Sequence, residues 1–367
     1  MDKAFFLDVP NLVLNYIKKL EKEKIYSYKP SMEGVSKYGE LLSLGFSCYA
    51  MKIYYMTSEW DKLSKEEKEE WVCFINSFQA KNNLFPENSF IDPYLIDSYK
   101  NLDTKEELKY LIKSVLNFSP FHSYDGKKTT LLKSVNAETK QAVSTLHEIE
   151  NSNNYKIENV YSDKNKLNKY LDSLDWSTPW TSGAQFASIC VLSRTQGYQL
   201  ENFLDEYITK MVDINTGSYY SKYPSDNREI INGAMKVISG LDWLEIPIHE
   251  PNKLIDFCLE NQPILEGCDI VDFVYVLYKC SKQTGYRKKE INDLFGTFLK
   301  EIEKLYIEKD GGFSYFHKKA QTHYYGVQIT EGLNEADIHG TTLCLWAILM
   351  ILDSLEIMNE DMNIIKP

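Results

Sequence analysis

Apolar residues in this chain recur at three- and four-residue intervals along most of its length, and strict alternation over six or more residues is almost absent. That period predicts amphipathic helices over Leu12–Lys22, Leu41–Tyr55, Lys65–Ala80, Lys105–Leu116, Gln185–Ser193, Leu200–Val212, Glu229–Leu241, Lys253–Leu259, Ile270–Cys280, Ile291–Tyr306 and Thr341–Leu355. The expected fold class is therefore all-α. Ser64 is read as an N-cap with Glu67 as its capping-box partner, and the charges of that helix as a solvated face. Gly233 sits inside a helical pattern, where it costs about 1 kcal/mol against Ala, so close helix packing is expected there.

The helices end in one kind of turn. Asn82–Phe85, Asn215–Tyr219 and Asp310–Phe313 each place a polar or Gly step before an aromatic. A left-handed C-cap followed by a chain reversal pinned on a buried ring accounts for this pattern. Phe85, Tyr219 and Phe313 are spaced near multiples of about 45 residues, the length of a repeated antiparallel helix pair. The Asn- and Lys-rich stretch from 151 to 169 is expected to be a polar surface loop. The turns continue on both sides of it, so residues 1–367 are read as one domain.

Composition narrows the partners. The net charge is -12, from 41 Lys+Arg against 53 Asp+Glu. An acidic chain lacks the basic face that nucleic acid or an anionic membrane requires. Seven cysteines are widely spaced, without a CxxC, and read as buried free thiols in a reducing compartment. Asp8 and Pro10 break the first apolar stretch too early for a signal peptide, and no window reaches the roughly 20 apolar residues of a membrane span. The expected location is the cytoplasm. The P-loop, the dinucleotide-binding glycine pattern, HExxH and GxSxG are all missing from the sequence. The 26 Tyr favour aromatic-lined surfaces or cavities.

Helix pairs of this length joined by Gly-aromatic turns are the pattern of α/α toroids. Asp310-Gly-Gly-Phe-Ser-Tyr315 resembles the DGGF turn of the terpenoid cyclase and protein prenyltransferase superfamily. Glu266–Tyr278 resembles the prenyltransferase β-subunit stretch carrying V-D-x-C-Y, and Glu335–Thr342 resembles the later D-x-x-H-T helix start, with one residue fewer between Asp and His. The likeness lies mainly in residues 250–355. It implies an α/α toroid, and an isoprenoid-type enzyme holding an apolar chain in an aromatic central cavity. In that family a zinc ion is held by Asp, Cys and His. Here the Asp falls on Asp272 and the His on His339, but Val274 stands where the Cys would be, and Cys268 lies four residues before Asp272. No bound zinc and no other cofactor is expected. The acid motifs D-x-D-D and D-D-x-x-D are absent; Asp269 and Asp272 form only a D-x-x-D pair.

The expected catalytic residues are Asp272, Glu335, Asp337 and His339, because they precede or open helices whose N-termini would meet on one rim. Such a rim favours an anionic group such as a diphosphate or carboxylate. Trp176, Trp180, Tyr219, Tyr275 and Tyr324 are the expected ligand walls. The simpler alternative is that each acid caps its own helix and Trp176 and Trp180 pack a helix entry. Two other functions are compatible with the residues: a carbohydrate-active lyase or hydrolase with sugar-stacking aromatics, and a non-catalytic binding protein on the same scaffold. The ligand is a small apolar or sugar molecule in the first two.

Overall fold

The structure is a computed structural model that describes residues 3–80, 85–100, 127–157, 163–224 and 226–367. The helices are α1 (Lys3–Leu20), α2 (Lys37–Leu41), α3 (Leu44–Met56), α4 (Glu59–Lys62), α5 (Lys65–Asn76), α6 (Pro93–Lys100), α7 (Lys127–Glu148), α8 (Lys164–Asp172), α9 (Pro179–Gln196), α10 (Glu201–Thr209), α11 (Asn227–Leu244), α12 (Pro251–Glu260), α13 (Cys268–Thr284), α14 (Lys288–Glu303) and α15 (Ile338–Ser354). The only strands among the described residues are two-residue hairpin arms: β1 (Gln79–Ala80) with β2 (Ser89–Phe90), β3 (Tyr306–Ile307) with β4 (Gly312–Phe313), and β5 (His323–Tyr324) with β6 (Val327–Gln328). The chain is thus mostly helical. The helix expected over 105–116 lies outside the described residues.

Local chemistry sets the boundaries. Ser64 and Glu67 form the capping box: Glu67 N–H donates to Ser64 Oγ at 3.2 Å and Ser64 N–H to Glu67 Oε2 at 2.8 Å. Helices α9 and α13 stop at Gly197 and Gly285, both left-handed, at φ 72° and 67°. The last part of the stretch read as a loop, 164–169, is helical: Asp163 caps α8, accepting the N–H of Asn165 at 2.9 Å. Periodicity misses α7, whose middle carries Glu138, Lys140 and Gln141 among the apolar residues that pack it. Cys268 proves to be the first residue of α13 rather than a loop residue before it.

Six helices pack in cyclic order. Helix α3 meets α7, α7 meets α9, α9 meets α11, α11 meets α13, α13 meets α15, and α15 returns to α3. Side-chain pairs show that neighbours run parallel. Gln141, in the second half of α7, donates through Nε2 to Gly45 O at the start of α3 at 3.1 Å; nearer the starts of their helices Asn232 Nδ2 donates to Asp269 Oδ1 at 2.7 Å, and Tyr49 stacks on His339 with ring centroids 4.6 Å apart. Further along, Lys279 reaches Asp242 at 2.6 Å and Tyr278 reaches Asp353 at 2.8 Å. Helices α1, α5, α10, α12 and α14 pack against members of this series. At the far ends, residues 363–367 cross from α3 to α7 to α11. Asn363 Nδ2 donates to Tyr55 O at 3.0 Å, the Lys366 N–H to Glu148 Oε1, and Trp243 Nε1 to Pro367 O at 2.9 Å.

Helices α9 and α11 approach most closely where they lack side chains. A Cβ on Gly233 would lie 2.6 Å from Pro179 Cβ and 2.9 Å from its backbone carbon. Ala at 233 would gain about 1 kcal/mol of helix propensity, but the clash is with a rigid ring and backbone. Gly233→Ala is therefore expected to destabilise by about 1–3 kcal/mol, measured as a lower urea midpoint with an unchanged m value.

Candidate functional site

The loop after α14 is pinned to the start of α15. Asp310 Oδ2 accepts the N–H of Ala336 at 2.8 Å, and Thr341 Oγ1 accepts that of Phe313 at 3.0 Å. Asp337 caps α15: Oδ1 accepts Gly340 N–H at 2.7 Å, while Oδ2 accepts Tyr315 N–H at 2.7 Å and Gln321 N–H at 3.1 Å. Burial pushes Asp337 up to about 7 against the pull of those donors. Glu335 is fully buried and accepts N–H groups of Glu33 at 2.7 Å and Gly34 at 2.8 Å. These two acids are engaged by backbone donors, and their work is to place Tyr315 and the N-terminal end of α15.

Asp272 and His339 are brought into one neighbourhood. Asp272 is fully buried; Oδ1 accepts from Lys236 Nζ at 3.2 Å, and Oδ2 has no hydrogen-bond partner. Burial pushes this carboxyl up to about 6, with Lys236 pulling the other way. His339 lies between Tyr49 and Tyr315, with Nδ1 3.0 Å from Gln321 Oε1, so a neutral ring donates there and keeps its Nε2 lone pair. Burial pushes His339 down to about 3, reinforced by the positive charges of Lys236 and Lys52. Cys268 Sγ sits 3.0 Å from the Tyr315 hydroxyl. Burial raises that thiol to about 11, and Asp272 adds to the rise.

Three lysines project from α3, α7 and α11. Lys52 is only 8% exposed. Burial, then the charges of Lys236 and Lys52, bring Lys140 down to about 7. Among the described residues neither Lys52 nor Lys140 has a carboxylate within ion-pairing distance. Lys140, Lys236, His339, Cys268, Tyr315 and Tyr325 each keep partial exposure, yet burial dominates the titration of each of the five that shift up or down with it. A cleft of about 580 Å³ is lined by Arg228, Cys268, Asp269 and Tyr315. Cys268 and Tyr315 therefore stand between the cleft and Asp272.

The expected walls divide. Tyr324 packs on Tyr325 at 4.3 Å and edge-on to Tyr49 at 6.4 Å. Trp180 lies beside the cleft, with the Arg228 guanidinium 5.0 Å over its ring and Arg228 Nε bonded to Asp269 at 2.6 Å. Trp176 is in the core against Phe186 and Tyr207. Tyr219 bonds His249, and Tyr275 bonds Asp242 further down α13. Sequence reasoning missed Lys52, Lys140, Lys236, Tyr49, Tyr315, Tyr325 and the buried acid Glu138, whose Oε1 also lacks a partner. A signal existed: single lysines inside apolar runs, Ala50-Met-Lys52-Ile-Tyr54 and Ala234-Met-Lys236-Val-Ile238.

Val274, at the position of the family's zinc-binding Cys, is buried in the core. Among the described residues no three His, Cys, Asp or Glu side chains come together as a metal site. None of their helices is long and apolar enough to cross a membrane. Comparison with family models, curated proteins and solved structures gave no match to this chain.

Two outcomes follow from the geometry. The unfolded chain protonates His339 near pH 6.5 and the folded protein only near 3, so stability is lost as pH falls between those values, by up to about 2 kcal/mol from pH 6.5 to 5. His339→Gln should flatten that limb in urea titrations at pH 7.5 and 5.0. Removing the cation that holds Asp272 down, in Lys236→Met, should move the Asp272 carboxyl resonance midpoint above 6 by carbon-detected NMR; an unchanged midpoint would show that the pair is not coupled.

Proposed function

We propose that this chain is a single-domain α/α toroid whose inner ring is the six-helix series, and that it acts on a small organic anion at the N-terminal mouth of that ring. The observation that carries the reading is the set of three lysines, Lys52, Lys140 and Lys236, that are buried or half-buried and act electrostatically on one another, two of them without an anionic partner within ion-pairing distance among the described residues. A buried, unpaired ammonium is costly, and a bound anion removes that cost. The isoprenoid-type substrate implied by the sequence resemblance fits the same site. A diphosphate head group would meet Lys52, Lys140 and Lys236, and the chain would lie along Tyr49, Tyr315, Tyr324 and Tyr325. Asp272, with a free oxygen and a pKa near neutrality, is the group that gives or takes the proton. All seven cysteines are unpaired, which supports a reducing compartment such as the cytoplasm.

Calorimetric titration with farnesyl diphosphate, inorganic pyrophosphate and farnesol tests this. Farnesyl diphosphate should bind at least about tenfold more tightly than either fragment, and Lys52→Met should cost about tenfold or more, roughly 1.4 kcal/mol. Pyrophosphate binding as tightly as farnesyl diphosphate would remove the isoprenoid substrate. Farnesol binding as tightly as farnesyl diphosphate would remove the anion site.

A further inference from the structure

The first turns of α11 and α13 both open on the cleft of about 580 Å³. Arg228, from α11, is fixed in it. The guanidinium lies 5.0 Å over the Trp180 ring, and Nε donates to Asp269 Oδ2 at 2.6 Å. Both supports are themselves held. The Trp180 N–H donates to Glu229 Oε2 at 3.2 Å, and Asn232 Nδ2 donates to the other Asp269 oxygen at 2.7 Å. Arg228 Nη1 and Nη2 meet no acceptor among the described residues, and the side chain is 49% exposed. Gly267 stands at the N-cap of α13 and brings no side-chain oxygen to that first turn. A carboxylate at Arg228 would lie beside this uncapped, positive helix end.

Two acids line the same cleft. Glu266 spends Oε2 on the His317 N–H at 3.2 Å, and Asp226 spends Oδ1 on the Arg228 N–H at 2.9 Å. Their second oxygens have no donor among the described residues. Tyr315 and Phe316 give the cleft an aromatic wall, their rings edge to face with centroids 4.6 Å apart, and Ile264 stands exposed on its lip.

This combination selects a class of ligand. A simple carboxylate pairs with Arg228 but faces Asp226 and Glu266. A simple amine pairs with the acids but faces Arg228. Each leaves a like-charge contact in place. A zwitterion with an apolar ring answers the guanidinium, the carboxylates and the aromatic wall together. We propose that the cleft binds a free aromatic α-amino acid. Its carboxylate takes Arg228 Nη1 and Nη2 as a paired fork, its ammonium meets the free oxygens of Glu266 and Asp226, and its ring packs on Tyr315 and Phe316. None of Lys52, Lys140 and Lys236 lines the cleft, so the inference stands apart from the anion site proposed above.

Calorimetric titration of the intact chain with three probes tests this: L-phenylalanine, 3-phenylpropionate, which lacks the ammonium, and phenethylamine, which lacks the carboxylate. One L-phenylalanine should bind per chain, at least about tenfold more tightly than either of the others. Arg228→Met should weaken phenylalanine by about tenfold or more and leave phenethylamine no weaker. Glu266→Gln, which keeps an acceptor for the His317 N–H, should weaken phenylalanine by about threefold or more and leave 3-phenylpropionate no weaker. Either single-charge probe binding the wild-type chain as tightly as phenylalanine overturns the zwitterion. Lack of saturable phenylalanine binding up to about 10 mM overturns the site. Neither of these two results needs a variant to fold.

Discussion

Helices α9 and α11 meet almost backbone to backbone at Gly183 and Gly233, and much of the interior follows from that contact. Side chains of ordinary size there would push the helices apart by the width of a methyl group or more. With none, Lys236 stands over Gly183 and reaches Asp272 on the next helix. That pair links α11 to α13 at 3.2 Å. Below it, Asp242 takes Lys279 and Tyr275, so the same two helices are joined by polar pairs along one face.

The interior of this chain, whose net charge is -12, holds more acids than bases: Asp92, Glu138, Asp269, Asp272, Asp310, Glu335 and Asp337 are buried, and Lys52 is the buried lysine among the described residues. The acids that do enter are spent in two ways. Glu335 and Asp337 satisfy backbone N–H groups, which is the stabilising environment for an ionised carboxylate. Asp272 and Glu138 lack such donors on one oxygen each, and an orphaned polar atom costs about 1–3 kcal/mol. A fold tolerates that cost where the atom is used by something that enters.

The helical class was legible because amphipathic faces repeat with a fixed period, and the packing role of Gly233 because glycine inside a helix is expensive without a reason. Asp272 and His339 were reached through motif resemblance; Asp272 bonds Lys236, and His339 packs on Tyr49 and Tyr315. Glu335 and Asp337 were picked by the same route; their type was informative but their partners, backbone groups up to 302 residues away in sequence, were not. Helix α7 was lost because its inward face is polar, which erases the apolar stripe that periodicity detects. The three lysines were passed over because a lysine between apolar neighbours carries no local sign of which way it points; only the packing of non-adjacent segments turns them together.

The segment 363–367 changes how such a ring can come apart. It fastens the ends of α3, α7 and α11, of which α7 and α11 are held apart by α9, through Asn363, Lys366 and Pro367. A cross-tie of that kind makes the far rim a single mechanical unit: no one helix can peel away without breaking bonds to the others. The loops carrying Tyr315 and Tyr325 lie toward the other ends of these helices, near His339 at the start of α15, so the cross-tie and these loops sit at opposite ends of a mostly helical frame.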